Sequence, residues 1–260
     1  MTVFNPINPQ ADSRIDMLAQ ELLRINRGEM DLAEVKHFLE GISEVELSLA
    51  EQRLLEQGVS PEELRDLCKV HLAVLDLQVQ NLKESLGQGH PLHTLITEHD
   101  LILGFLDTVS QVADDFSKKT SWSGDAKEGE HLQALTKAAY HLVETDKHHQ
   151  REEDALFPAM ENLGITGPTR IMRLEHDDLR PRKKALLELA RNVREMNFDD
   201  FSAELQELSS FIVFNLRDHI FKENAILYPS AVEAIKDASA WQNIKRQCDE
   251  IGYCCFTPMQ

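Results

Sequence analysis

Two stretches decide how this chain folds: His148-His-Gln-Arg-Glu152-Glu-Asp-Ala-Leu156-Phe157-Pro158 and His219-Ile-Phe-Lys-Glu223-Asn-Ala-Ile-Leu227-Tyr228-Pro229. In both, a His is followed at +4 by Glu, at +8 by Leu, at +9 by an aromatic residue and at +10 by Pro, and the two copies lie 71 residues apart. Side chains four apart share one face of an α-helix, about 6 Å apart along the axis, so a His and a Glu so placed can hold one metal, or the Glu can bridge two. A second repeat accompanies the first. Glu98-His99-Asp100 and Glu175-His176-Asp177 recur 77 residues apart, each upstream of one His-x-x-x-Glu segment. The chain reads as two helix hairpins of one design, each offering a His on its first helix and a His with a Glu on its second.

The repeat also selects between adjacent candidates. Aligning the copies on Leu-aromatic-Pro matches His148 and Glu152 to His219 and Glu223. His149 and Glu153 lie about 100° round the helix, and their counterparts Ile220 and Asn224 cannot replace them as ligands. They read as a surface pair or as a pair standing behind the ligands. The resulting set is His99, His148, Glu152, His176, His219 and Glu223. Four imidazoles and two carboxylates from four helices match a dinuclear site in a bundle core. Each metal takes two His and shares both carboxylates, and an oxo or hydroxo bridge leaves an octahedral ion one open position. Mixed nitrogen and oxygen ligation without thiolate favours two iron ions over manganese or zinc.

Outward from these stretches, four helical patterns run over about 91–116, 131–160, 168–195 (with a kink expected at Pro181) and 199–228, and no stretch sustains period-2 alternation. The fold class is all-α: an up-down four-helix bundle over 90–235, preceded by a small helical domain over 1–89 and followed by a C-terminal helix and tail over 236–260 packed on the outside. In the first part, Asp12-Ser13 precedes an apolar periodicity stopped by Gly28. Asp31 with Glu34, Ser43 with Glu46, and Ser60-Pro61 with Glu63 carry helix-start signals, the last opening a stripe from Leu64 to Leu86. Gly87-Gln-Gly89 marks the boundary. Residues 117–130 read as a polar linker.

The 260 residues carry a formal charge of −18 and 11 His. So acidic a surface repels phosphate backbones and anionic lipid, which argues against nucleic-acid and membrane partners. No apolar run is long enough to cross a bilayer, and the first residues lack the pattern of a secretory signal. Cys68, Cys248, Cys254 and Cys255 form no Cys-x-x-Cys pair, so a reducing cytoplasm is the expected compartment.

The residues 98–100, 148–158, 175–177 and 219–229 resemble the hemerythrin-like, or His-His-Glu cation-binding, family. The resemblance spans roughly 90–232 and implies a four-helix bundle around a non-haem di-iron centre, its four His and two Glu falling on the six positions named. The set is more similar to the bacterial iron-centre-repair branch than to the oxygen carriers, whose fifth His and aspartate have no clear equivalent here. Residues 12–86, through Gly58-Val-Ser-Pro-Glu-Glu-Leu-Arg-Asp-Leu-Cys68-Lys-Val-His71 and the later Gly89-His90-Pro91-Leu92-His93, resemble an uncharacterised helical domain that often precedes hemerythrin-like domains.

The expected function is a cytoplasmic di-iron protein that binds or senses oxygen, nitric oxide or peroxide, with a protein redox or signalling partner reached through the N-terminal domain. The alternatives are a repair or reductase activity, by iron donation or by reduction of nitric oxide or peroxide, and a non-catalytic metal-binding interaction module. Whether the protein is an enzyme is left open. Beyond the six residues, His90 and His93 are candidates to cap the mouth of the site, to add a ligand or to make loop hydrogen bonds. His141 and Glu144 are candidates to orient a ligand imidazole, and Tyr140 and Tyr228 to donate hydrogen bonds. Cys254-Cys255 is a redox handle, a metal-delivery ligand or an incidental tail. His37, His71 and His131 read as structural.

Overall fold

The computed structural model describes residues 9–26, 29–30, 50, 53–54 and 79–258. The chain divides into two compact units, 1–80 and 81–260. In the first, helix α1 (Pro9–Asn26) buries Ile15, Leu18, Ala19 and Leu22. It starts a turn before Asp12-Ser13, because Pro9 in the first position loses no helical hydrogen bond and has its φ preset for the helix. Glu29 N–H reaches back to Arg24 O at 2.9 Å and closes its end. Arg53 pairs with Asp16 at 2.7 Å. The start signals at Asp31, Ser43 and Ser60, and the residues His37, Cys68 and His71, lie outside the described residues.

The second unit is a bundle of α2 (Pro91–Ser117), α3 (Ala126–Glu144), α6 (Gly167–Asn192) and α7 (Phe198–Lys222). Each of the four packs on the next, and α7 closes the ring on α2. Among the described residues there is no strand. The far end is plugged by Phe116, Trp122, Phe198 and Phe201, whose rings meet with centroids 5.1 to 6.3 Å apart. Above this plug, Leu106, Val109, Leu135, Ala139, Leu142, Leu186, Leu205 and Ile212 fill the middle of the core. The apolar positions of each helix recur every three or four residues, so one stripe of each meets the other three.

The linker expected over 117–130 is in part a helix start. Asp125 Oδ1 accepts Glu128 N–H at 2.7 Å, and the Glu128 carboxylate gathers the N–H groups of Ser123 and Gly124, the Ser123 hydroxyl and Lys119. This reciprocal cap opens α3 at Ala126, five residues ahead of the expected start. α6 runs through Pro181 to Asn192 and ends in a 3-10 turn, Val193–Glu195.

The segments that carry the repeat are not plain α-helix. After α3 come α4 (Asp146–Arg151), a π-turn over Glu152–Leu156 and α5 (Phe157–Glu161). After α7 come a π-turn over Glu223–Leu227 and α8 (Tyr228–Ala234). In each π-turn the aromatic N–H reaches five residues back, Phe157 to Glu152 O and Tyr228 to Glu223 O. The cause is the Pro that follows. Pro158 and Pro229 offer no N–H and would clash with the carbonyl four residues back in an unbroken α-helix; the wider turn relieves both faults. The extra residue per turn also rotates Phe157 and Tyr228 into the core, where both are fully buried.

A final helix, α9 (Ala238–Ile251), packs on the first π-turn, α4 and α2. Its Ile244 and Cys248 are buried, and Trp241 meets His90 with ring centroids 4.4 Å apart. Gly252, at φ 90°, ends it in a conformation a side chain disfavours, and the chain returns along the bundle through Tyr253, Cys254 and Thr257.

Candidate metal centre

The up-down topology brings the third turns of α2 and α6, helix α4, the last turn of α7 and the two π-turns to one end of the bundle. The six residues singled out in the sequence meet there, none more than 1 % exposed. His99 Nε2 and His148 Nε2 are 3.1 Å apart, and His176 Nε2 and His219 Nε2 are 2.9 Å apart. The two carboxylates lie between these pairs. Glu223 Oε2 is 3.1 Å from His99 Nε2, while its Oε1 is 2.9 Å from His219 Nε2 and 3.6 Å from His176 Nε2. Glu152 Oε2 is 3.6 Å from His148 Nε2 and 3.5 Å from His176 Nε2.

The other nitrogen of every ring is already engaged. His148 Nδ1 donates to Glu98 Oε2 at 2.7 Å and His219 Nδ1 to Glu175 Oε2 at 2.8 Å. His176 Nδ1 donates to Glu153 Oε1 at 2.6 Å and His99 Nδ1 to Asn224 Oδ1 at 2.8 Å. These oxygens only accept, so each imidazole carries its proton on Nδ1 and, when neutral, turns an Nε2 lone pair inward. Two neutral rings facing each other lone pair to lone pair cannot hydrogen-bond. With the rings neutral, Glu152 Oε2 and both oxygens of Glu223 are buried and accept no hydrogen bond. Inward lone pairs and orphaned carboxylate oxygens, gathered in a buried space, are a donor set that fits cations.

The outer partners follow the internal repeat. Glu98 and Glu175 are the first residues of the two Glu-His-Asp motifs, and each holds the His of its own hairpin's second helix. Glu153 and Asn224 occupy equivalent places just after Glu152 and Glu223, and each holds the first-helix His of the opposite hairpin. The cations behind them repeat too. Arg151 donates to Glu98 at 2.8 and 2.5 Å, and Lys222, 71 residues later, donates to Glu175. Arg180 pairs with Glu153 at 2.6 Å. Sequence reasoning placed Glu153 behind the ligands but with His149 as its partner, and passed over Glu98, Glu175 and Asn224, although the repeat displayed them: Glu98 and Glu175 adjoin the two His, and Asn224 stands where the other copy has Glu153.

Electrostatics follow from this packing. Burial and the neighbouring Glu223 carry the Glu152 carboxyl well above the usual range. Against the burial that would raise it, the imidazoles of His219, His176 and His99 hold Glu223 well below. Burial drops His148 to about 4 despite Glu98. For His219, burial is outweighed by Glu223 and Glu175, which raise it to about 9, so in the metal-free chain a proton sits where a cation would. Tyr228 is raised well above its ordinary value by burial and Glu152; it stays protonated and donates to Glu152 Oε1 at 2.7 Å. Its ring stacks on His99 at 5.6 Å.

His149 is buried, not on the surface, and stacks on His176 with ring centroids 3.8 Å apart and planes 5° apart. A ring nitrogen of His149 lies within 4.8 Å of those of His176 and His219. Imidazole lone pairs lie in the ring plane, however, and parallel stacked rings cannot both point theirs at one ion. Glu153 does not pair with His149 but with His176. His141 and Glu144 do not orient the ligand imidazoles: His141 stacks on Phe105 at 4.6 Å and lies 3.4 Å from Cys255 Sγ. His90 caps α2 by accepting Leu92 N–H at 3.2 Å. His93 lines a pocket of about 320 Å³ with Thr94, Thr97 and Thr257. His131 Nδ1 is 3.6 Å from Asp115. Tyr140 is exposed; Cys254 is buried and Cys255 exposed.

A four-helix bundle with six buried His and Glu side chains converging between its helices defines a metal-binding helical protein. The comparison with known families is specific about which: residues 90–231 match the hemerythrin HHE cation binding domain. The chain belongs to that family, and all six residues fall within the match. Residues 18–81 match a family of unknown function, DUF438. No curated protein matches the chain.

Proposed function

We propose that His99, His148, Glu152, His176, His219 and Glu223 hold two iron ions in a non-haem di-iron centre, and that the protein is a cytoplasmic binder or sensor of oxygen, nitric oxide or peroxide. The observation that carries this reading is the arrangement of the four imidazoles. They stand in two pairs, each ring fixed through Nδ1 with Nε2 turned inward, and two buried carboxylates span the gap between the pairs. Two pairs and two bridges suit two ions rather than one. Iron, when bound, would supply open coordination positions and a ferrous–ferric couple.

The chain's own residues would do the rest. Glu98, Glu175, Glu153 and Asn224 hold the tautomer and orientation of the four rings, so little ordering remains to be done on binding. Tyr228 occupies one oxygen of Glu152 and leaves Oε2 free for a cation. Phe157 and Tyr228, brought inward by the π-turns, keep bulk water from the ring faces of His176 and His99. Within the described residues no helix is long and apolar enough to cross a membrane. The free thiols of Cys248, Cys254 and Cys255 agree with a reducing compartment. The domain reading remains 1–89, 90–235 and 236–260, with the first segment docking a redox or signalling partner.

The test is the metal content and absorption spectrum of protein purified without chelator. Two irons per chain with near-ultraviolet ligand-to-metal bands are expected; zinc alone, or no metal with unchanged stability, refutes the reading. His148→Ala and Glu223→Ala lose iron and His149→Ala keeps it; iron retained in His148→Ala overturns the choice of ligand. Single-turnover exposure to oxygen and nitric oxide then separates sensing from catalysis, because a sensor reacts stoichiometrically and stops.

A further inference from the structure

The two halves of the centre are built alike but finished differently. Behind His148 stands Glu98 with Arg151, and behind His219 stands Glu175 with Lys222. The first pair is sealed, with side chains 0 % and 1 % exposed; the second is open, at 28 % and 26 %. What seals the first lies beyond the family match, which ends at residue 231. α9 packs across α4 and the first π-turn. The segment after it returns over Arg151, whose guanidinium lies 4.8 Å from the Tyr253 ring centroid and 3.7 Å from Cys254 Sγ. The Thr257 hydroxyl donates to Glu98 Oε1, the carboxylate whose other oxygen holds His148. The second half has no such cover among the described residues. Pro168, Ile171, Met172, Ile226 and Leu227 there line an apolar pocket of about 330 Å³ beside Lys222.

We infer that the segment Tyr253–Thr257 belongs to the metal centre: through Thr257, Cys254 and Tyr253 it fixes the Arg151–Glu98 pair behind His148, so that a metal between His99 and His148 is held slowly exchanging while one between His176 and His219 exchanges readily. This rests on the two-metal reading. A ligand leaves a metal when its ring swings away, and the ring swings when its Nδ1 acceptor moves or accepts water instead. Glu98 is fully buried, and four groups (His148, Arg151 and Thr257 directly, Cys254 through Arg151) hold it in place. Glu175 is more than a quarter exposed, and its cation is shared with Asp218 at 2.8 Å. Thr257 and Cys254 touch no inward-facing atom and are positioning residues.

The test follows release of ferrous iron from the fully loaded chain into excess chelator, without oxygen. Two phases of one iron each are expected, with rates at least about tenfold apart. Thr257→Val accelerates the slow phase by about 10- to 100-fold and leaves the fast one alone. Glu175→Gln accelerates the fast phase only, and Thr257→Ser, which keeps the hydroxyl, restores the slow phase. Thr257→Val and Thr257→Ser also separate a positioning role from a general loss of packing, since valine keeps the size of the side chain without the hydroxyl and serine keeps the hydroxyl without the methyl group. Release of two irons in one phase, or acceleration of both phases by Thr257→Val, overturns the inference while sparing the two-metal reading. Failure to load two irons sinks that reading and the inference with it.

Discussion

Replacing Tyr228 by Phe tests the electrostatics of the site at a single oxygen. The internal repeat recommends the substitution, because Phe157 already stands at the equivalent position in the other hairpin; the ring fits and only the hydroxyl is lost. In the metal-free chain burial and Glu223 raise the Glu152 carboxyl well above its ordinary value, which favours its neutral form. The Tyr228 bond at 2.7 Å then joins two neutral groups, worth about 1 kcal/mol. Loading with metal ionises Glu152, and the same bond becomes charge-assisted, worth about 1.5–3 kcal/mol. The variant therefore loses more in the loaded state than in the free one. The metal-free melting temperature falls by roughly 2–4 °C, as expected for about 1 kcal/mol in a unit of this size. Metal affinity weakens by about 1 kcal/mol, or roughly fivefold. The measurements are thermal unfolding of both forms and a competition titration with a chelator of known affinity. Unchanged affinity, or a larger loss of stability without metal than with it, would refute the reasoning, since Glu152 would then carry the same charge in both states.

Three further outcomes follow from the same structure. His219, raised to about 9 in the metal-free chain, contributes stability that is complete below its ordinary value of about 6.5 and is lost as pH rises through 9. Metal uptake must displace that proton, so proton release in a weakly buffered indicator is expected at pH 7.5 and vanishes above pH 10. Glu128, held at about 2 by its backbone and Lys119 hydrogen bonds, stabilises the fold above its ordinary value of about 4.5 and ceases to as pH falls through 2. Glu128→Gln costs about 1–2 kcal/mol at pH 7 and flattens the acid limb of the stability curve; an unchanged acid limb counts against the cap. Phe201→Ala, in the plug at the far end, costs about 3–5 kcal/mol by urea unfolding yet leaves iron stoichiometry intact. Loss of iron there would mean that the two ends of the bundle are coupled.

The helices and the six inward-facing residues were readable because their spacing is local. A His and a Glu four apart fall on one helical face whatever surrounds them, and repetition of that spacing in a matched context favours His148 over His149. The π-turns were not readable from periodicity, which assumes one pitch, although Pro158 and Pro229 are their cause. The partners of the rings were hidden for a different reason. Glu98 reaches His148, and Glu175 reaches His219, across helices, and no sequence spacing reports which residues a bundle brings side by side. Asn224 was passed over since it cannot serve as a ligand as Glu can, yet as an acceptor from Nδ1–H the two are interchangeable. For the C-terminal segment, an apolar helix and tail packed on the outside of the bundle were legible, but not that they close over Arg151 and Glu98.

The cross-bracing of the rings bears on how such a site can diversify. Each hairpin supplies the acceptor that holds the other's first histidine, Glu153 for His176 and Asn224 for His99, so neither hairpin could set its own lone pairs alone. Two identical hairpins meeting about a twofold axis would satisfy that need, but they would be bound to present the same side chain on both sides. Joined in one polypeptide, the copies are released from symmetry. One keeps a carboxylate where the other has an amide, one keeps phenylalanine where the other has tyrosine, and one gains a cover of its own. The two ends of a shared carboxylate can then be given different chemistry, residue by residue, without loss of the mutual support that holds them in place.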